Sequence, residues 1–213
     1  MPRFRRCALV AVMMISPHVP PAFSQANAAP ARQSVLILGD SVLAVTRWWP
    51  ASLQPLWKHG YDVINEAWGC QALLGPGCPG SGGLSAVQRL GMHRSDPIDV
   101  IVVGTGYNDS NEESVRVAMK LIVREARRHN ARVLWLTYHS RANVRQKSTR
   151  FNTVLRAEST HHSLVTVADW DERARNHESW FRNGGVHMNA IGGVQLGRFL
   201  ASSLDELRAT QSD

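Results

Sequence analysis

The 213-residue sequence contains no apolar run approaching the roughly 18–20 residues that cross a bilayer, so no stable membrane insertion is expected. Cysteine is scarce, with three residues in all. That excludes a disulfide scaffold, and two Cys without a suitably spaced His do not make a structural zinc site. Neither zinc-finger spacing, an aromatic RNA-binding signature nor a basic zipper is present. A nucleic-acid partner is therefore not expected, despite a net charge of +7. Charged residues make up only 19% of the chain against 44% hydrophobic residues, which excludes a disordered polyelectrolyte. The G-x-S-x-G elbow and the S-x-x-K motif are both missing, which disfavours the α/β-hydrolase and β-lactamase chemistries. No metal or organic cofactor is expected.

Part of the positive charge belongs to an export signal. Arg3, Arg5 and Arg6 precede a short apolar run, Cys7 to Ile15, and small residues follow at Ala26-Asn27-Ala28-Ala29. Basic start, apolar middle and A-x-A end read as a secretory signal peptide over 1–28. The expected location is secreted or periplasmic. Cleavage after Ala28 would take Lys+Arg from 24 to 21 against 17 acids, leaving +4. The rest reads as a linker over 29–33, one domain over 34–208 and a tail over 209–213. The remaining basic excess concentrates in Arg141, Arg145, Lys147, Arg150 and Arg156. The plain reading is a solvated helix face; the sharper one is a patch for an anionic envelope polymer. Export also places Cys70 and Cys78 in an oxidising compartment, within a Gly/Pro-rich loop from Gly69 to Gly83. A local disulfide is expected there, worth roughly 2–3 kcal/mol by loop entropy.

The body alternates apolar runs with helical periodicity. Strands are expected at Ser34 to Leu38, Tyr61 to Ala67, Asp99 to Gly104, Arg132 to Tyr138 and Leu164 to Ala168. Helices are expected over 42–59 with breaks at Pro50 and Pro55, around Leu84 to Met92, and from Asn111 to Asn130. Further helices are expected over 144–158, 171–179 and Ala190 to Arg208. Ser110 and Glu113 form a capping-box pattern, and Val115, Met119, Ile122 and Ala126 should face the sheet. Alternating strands and helices imply an α/β three-layer sandwich around a mostly parallel five-stranded sheet. Ligands in such sheets bind beyond the carboxyl ends of the strands.

The residues at those ends carry chemistry. Gly39-Asp40-Ser41 follows the first strand, Gly69 the second and Gly106-Tyr107-Asn108-Asp109 the third; Gly185-Val186-His187 precedes the last helix. This set resembles the SGNH (GDSL) hydrolases, whose four blocks contribute Ser, Gly, Asn and His, and the resemblance runs from Ser34 to about Leu207. It implies a flavodoxin-like SGNH fold and a serine esterase. Ser41 would be the nucleophile and His187 the general base, because a hydroxyl attacks only once a base takes its proton. The Ser41 and Gly69 backbone N–H groups and the Asn108 amide would form the oxyanion hole.

One position departs from the family. The Asp that usually stands three residues before the histidine is Gly184 here. Candidates to orient His187 are a backbone carbonyl, Asn183, or a carboxylate from Asp169 or Asp171. The segment Val167 to Asn189, and Ile64 to Gln71, resemble secreted bacterial SGNH domains, some fused to membrane acyltransferases that modify cell-wall glycans. The implied partner is an acylated small molecule or saccharide. The expected activity is hydrolysis of an acyl ester, acetyl among the candidates. The alternatives are an O-acyltransferase on an envelope saccharide and a catalytically impaired glycan-binding relative. Trp48, Trp49 and Trp68 lie near the motifs and are candidates for packing on sugar or acyl chain as much as for the core.

Overall fold

A computed structural model describes residues 32–80, 82–183 and 185–210. The segment expected to be a signal peptide, 1–28, lies outside the described residues, as does Gly184. Among the described residues no helix is long and apolar enough to cross a membrane.

Five apolar runs form five parallel strands: β1 (Gln33–Gly39), β2 (Tyr61–Ala67), β3 (Val100–Gly104), β4 (Arg132–Leu136) and β5 (Val165–Ala168). Their order is β2-β1-β3-β4-β5, and every pairing is parallel. The central strands carry unbroken apolar runs, Val35–Leu38 in β1 and Val100–Val103 in β3, because both faces are covered. Val35 and Ile37 of β1 join one core with Val100 and Val102 of β3, while Leu36 and Leu38 join the other with Ile101 and Val103. Helices α1 (Val45–Trp48), α2 (Gln54–Lys58) and α7 (Ala190–Ala209) cover the first face. Helices α3 (Ala86–Met92), α4 (Glu113–His129) and α5 (Arg145–Ser159) cover the second. A short α6 (Trp170–Ala174) follows β5. This is the expected three-layer α/β/α sandwich.

Val115, Met119, Ile122 and Ala126 of α4 are fully buried, as their spacing predicts. The helix ends at Asn130 in the left-handed region (φ 53°), a conformation asparagine tolerates better than most residues. The capping box at Ser110 does not form. Helix α4 begins three residues later with no side-chain cap, because the Glu113 carboxylate turns forward to accept from Arg116 at 3.0 Å. A capping box closes instead at Ser85 and Gln88, ahead of α3.

The stretch 42–59 breaks where its prolines stand, into α1, a 3-10 turn over Pro50–Leu53, and α2. Helix α7 keeps its three interior glycines for a packing reason. A Cβ at Gly197 would lie 1.8 Å from the Ser52 carbonyl oxygen, and one at Gly192 would lie 2.2 Å from that of Trp180. The glycines let α7 seat directly on backbone, and that contact anchors the helix that follows His187.

Candidate active site

Strand register assembles the site. Gly39 pairs with Ala67 on one side and with Gly104 on the other. Ser41 and Gly69 therefore emerge two residues beyond adjacent strand ends, and Asn108 four beyond the third. The strand order reverses at β1, the place where open parallel sheets form a crevice. His187 arrives from a short hairpin closed by a bridge between Phe181 and Met188. Within it the Arg182 N–H donates to the His187 carbonyl at 2.8 Å. The Ser41 Oγ and His187 Nε2 lie 2.9 Å apart, at hydrogen-bond distance across 146 residues of sequence.

Three donors open at the same end. Among the described residues, the Ser41 and Gly69 backbone N–H groups have no acceptor. The Asn108 amide gives one proton to the Gln71 carbonyl at 2.9 Å, leaving its second free. Thr105 Oγ1 donates to the same carbonyl at 2.9 Å, so the loop after β2 is tied to the exit of β3. The Cys70–Cys78 disulfide closes this loop. Cys78 Sγ lies 3.7 Å from Asn108 Oδ1, a contact only, since a bridged sulfur carries no proton. The protein recovered from an oxidising compartment should release no free thiol from Cys70 or Cys78 under denaturing conditions. Two reactive thiols there would contradict the bridge.

Asp40 has a role that the motif alone did not reveal. It is wholly buried and accepts from the backbone N–H groups of Val42 at 2.9 Å, and of Gly106 and Tyr107 at 3.2 Å each. It thereby joins the turn carrying Ser41 to the turn carrying Asn108. Gly106 is needed at that junction: its φ is +148°, and a Cβ would meet the Tyr138 ring at 2.5 Å. Burial pushes the Asp40 carboxyl up to about 7, against the lowering effect of its three N–H donors and with a smaller raising effect from Asp109. Burial likewise raises Asp109.

Between about pH 4 and 7, the folded protein holds a proton on Asp40 that the unfolded chain has released. The stability linked to this group is full at acid pH and is lost as pH rises to about 7. The displacement from 3.8 corresponds to on the order of 4 kcal/mol. Glu66, Glu125, Asp171 and Asp205 are lowered instead, so their contribution is lost only in more acid solution. The difference in Tm between wild type and Asp40→Asn should therefore shrink or reverse as pH goes from about 4.5 to 7.5. A difference independent of pH would contradict this assignment.

The candidates for orienting His187 are engaged elsewhere. Asp169 accepts from Thr137 Oγ1 at 2.9 Å, caps α6 through the Glu172 N–H and pairs with Arg156. Asp171 accepts from the Ser140 N–H at 2.7 Å and its hydroxyl at 2.9 Å, and lies 3.3 Å from His139 Nδ1. Asn183 sits in the turn of the hairpin with φ 47°. None of the three bonds to His187, whose Nδ1 has no partner among the described residues. His139, which sequence reasoning passed over, is buried and stacks on Phe181 with ring centroids 4.5 Å apart. It thus braces the hairpin that carries His187. Its one sequence signal was its position just past the end of β4.

The basic run is largely neutralised. Arg141 pairs with Glu178, Arg150 with Glu112 and Arg156 with Asp169, while Lys147 donates to the Tyr107 carbonyl at 2.9 Å. Only the Arg145 side chain in this run lacks a partner among the described residues. Trp68 is also occupied: the guanidinium groups of Arg47 and Arg89 lie 3.7 and 4.6 Å from its ring centre, and its N–H donates to Glu66. A cavity of about 560 Å³ lies between β5 and the second half of α7, and none of Ser41, Gly69, Asn108 or His187 lines it. Among the described residues, no three His, Cys, Asp or Glu side chains come together as a metal site.

No protein-family model matches the sequence, and no curated protein matches it. Solved structures do. TesA is 19% identical, with a TM-score of 0.65, covering 82% of this chain and 99% of its own. A carbohydrate esterase family 3 protein from Talaromyces cellulolyticus is 18% identical, with a TM-score of 0.65, covering 83% and 98%. AlinE4, an SGNH-hydrolase family esterase, is 17% identical, with a TM-score of 0.54, covering 86% and 98%. With the parallel sheet, its strand order and the strand-exit motifs, this likeness identifies the fold: the chain has the α/β/α fold of the SGNH hydrolases.

Proposed function

We propose that the protein is an exported serine esterase that cleaves an acyl ester, with acetyl the first group to test. The observation that carries this reading is the 2.9 Å approach of Ser41 Oγ to His187 Nε2 beside three available N–H donors. In the first step the Ser41 oxygen bonds to the ester carbonyl carbon while His187 Nε2 takes the hydroxyl proton. The carbonyl oxygen becomes anionic and accepts from the Ser41 and Gly69 N–H groups and the Asn108 amide, donors fixed before the charge develops. Collapse breaks the bond to the alcohol oxygen, which leaves with the proton from His187. Water then attacks the Ser41 ester, gives a proton to His187 and releases the acid, returning that proton to Ser41.

His187 acts in this reading as half of a Ser–His dyad. Among the described residues no carboxylate bonds to its ring; the Phe181–Met188 bridge and the Arg182 N–H hold the backbone of the hairpin that carries it. The disulfide supports export, since such bonds persist in oxidising compartments. A saccharide ester is supported by the carbohydrate esterase among the structural neighbours. A fluorophosphonate probe tests the proposal: saturable labelling at Ser41, lost in His187→Ala, is expected. Absence of labelling in a folded protein would overturn it.

A further inference from the structure

The outward face of α7 carries a stripe that the catalytic reading does not use. Ile191, Val194 and Arg198 recur at three and four residues, one above another on a helix. They face outward because Gly192, Gly193, Leu196 and Gly197 face the core. Trp49, at the end of α1, lines the same groove of about 300 Å³. A second groove of about 290 Å³ shares Val194 and Arg198 and extends to Lys58. The two form one track. It begins four residues past His187 and eight past Ser41, and runs along α7 for about 10 Å from Ile191 to Arg198.

The track changes character along its length. Its near end is apolar and open: Trp49 is 50% exposed and Ile191 59%. Unlike Trp68, Trp49 has no ring or cation packed on it among the described residues. Its far end is cationic. Neither Lys58 nor Arg198 has an acidic partner among the described residues, whereas Arg141, Arg150 and Arg156 all do. His59, beside Lys58, is tied to Asp205.

We infer that this track binds the alcohol side of the ester, and that the alcohol is a carboxylated glycan chain. The inference rests on the esterase reading above. The apolar face of a sugar ring packs on Trp49 and Ile191, as amphipathic rings do on aromatic surfaces. A carboxylate on a neighbouring sugar meets the Arg198 guanidinium, whose planar fork matches it, with Lys58 adding charge. A long acyl chain is the wrong occupant, because its methyl end would finish against two cations. A neutral glycan would leave both cations unused. The separation of the cations from the dyad favours a chain over a single sugar.

Acetate release from O-acetylated polygalacturonate and from neutral acetylated xylan tests this, with p-nitrophenyl acetate as the small ester. Wild type should favour the polyuronate by at least about tenfold in kcat/KM, the scale of one charge-assisted contact. That preference should fall as salt rises from about 0.05 to 0.5 M. Trp49→Ala, and Arg198→Gln with Lys58→Gln, should each lower the ratio of polyuronate to p-nitrophenyl acetate kcat/KM by about tenfold. Equal or better use of acetylated xylan, or ratios within about twofold of wild type, would overturn the inference. If wild type turns over none of the three esters and the fluorophosphonate probe does not label Ser41, the esterase reading itself fails. Calorimetry with deacetylated polygalacturonate and Ser41→Ala protein then judges the track alone. Binding that Arg198→Gln abolishes supports it, and unchanged or absent binding refutes it.

Discussion

Replacing Ser41 by alanine is expected to lower kcat/KM for p-nitrophenyl acetate by about 10⁴-fold or more, with the unfolding midpoint little changed. The side chain lies at the mouth of the crevice and, among the described residues, its hydroxyl bonds only to His187, so its loss removes the attacking atom and little packing. His187→Ala should fall to a similar level, because without a base the serine proton has nowhere to go. The double variant should be no worse than either single one, since nucleophile and base act as a unit and their effects do not add. An His187→Ala enzyme within about tenfold of wild type would show that another group takes the proton. The dyad also bears on absolute rate. In a serine triad, removing tautomer control by the acid costs about 10⁴ in turnover. This chain has Gly184 at the usual acid position, and its nearby carboxylates are spent on Thr137, Ser140 and the cap of α6.

The second large effect concerns Asn108. Its alanine variant should lose about 10²–10³ in kcat, with KM much less affected, because the free amide proton acts on charge that exists only in the transition state. A loss confined to KM would mean that Asn108 binds the ground state instead. The same amide also holds the Gln71 carbonyl, so the variant loosens the disulfide loop as well. Asn108→Asp keeps the side-chain volume but, as a carboxylate, has no N–H for either the oxyanion or the Gln71 carbonyl, and should be at least as slow as the alanine variant.

Fold class was legible in the sequence because the central strands are buried on both faces. Such strands leave unbroken apolar runs, and Val35–Leu38 and Val100–Val103 are filled with β-branched and aliphatic residues. Helix α4 was legible for the complementary reason: one buried face imposes a 3.6-residue period on a long segment. Where local sequence offered competing partners, the reading failed. Ser110 and Glu113 have capping-box spacing, but Arg116 claims the glutamate. For the basic run from Arg141 to Arg156 the sequence offered a solvated helix face or a patch for an anionic polymer, and the acids that pair with it come from elsewhere. Glu112 precedes α4, and Asp169 and Glu178 follow β5.

The same division holds at the site. Sequence by itself determined the residue types at the strand exits, since parallel strands all deliver their ends to one edge of the sheet. Only the tertiary structure decided which of those residues meet. The approach of Ser41 to His187 depends on a hairpin held by His139 and Phe181, and on α7 seated at its glycines. The union of the Ser41 and Asn108 turns depends on a buried Asp40. The pairing of cations, and so the identity of those left free on α2 and α7, is a property of side chains brought together from distant segments. Composition counts charges; packing decides which of them remain available to a ligand.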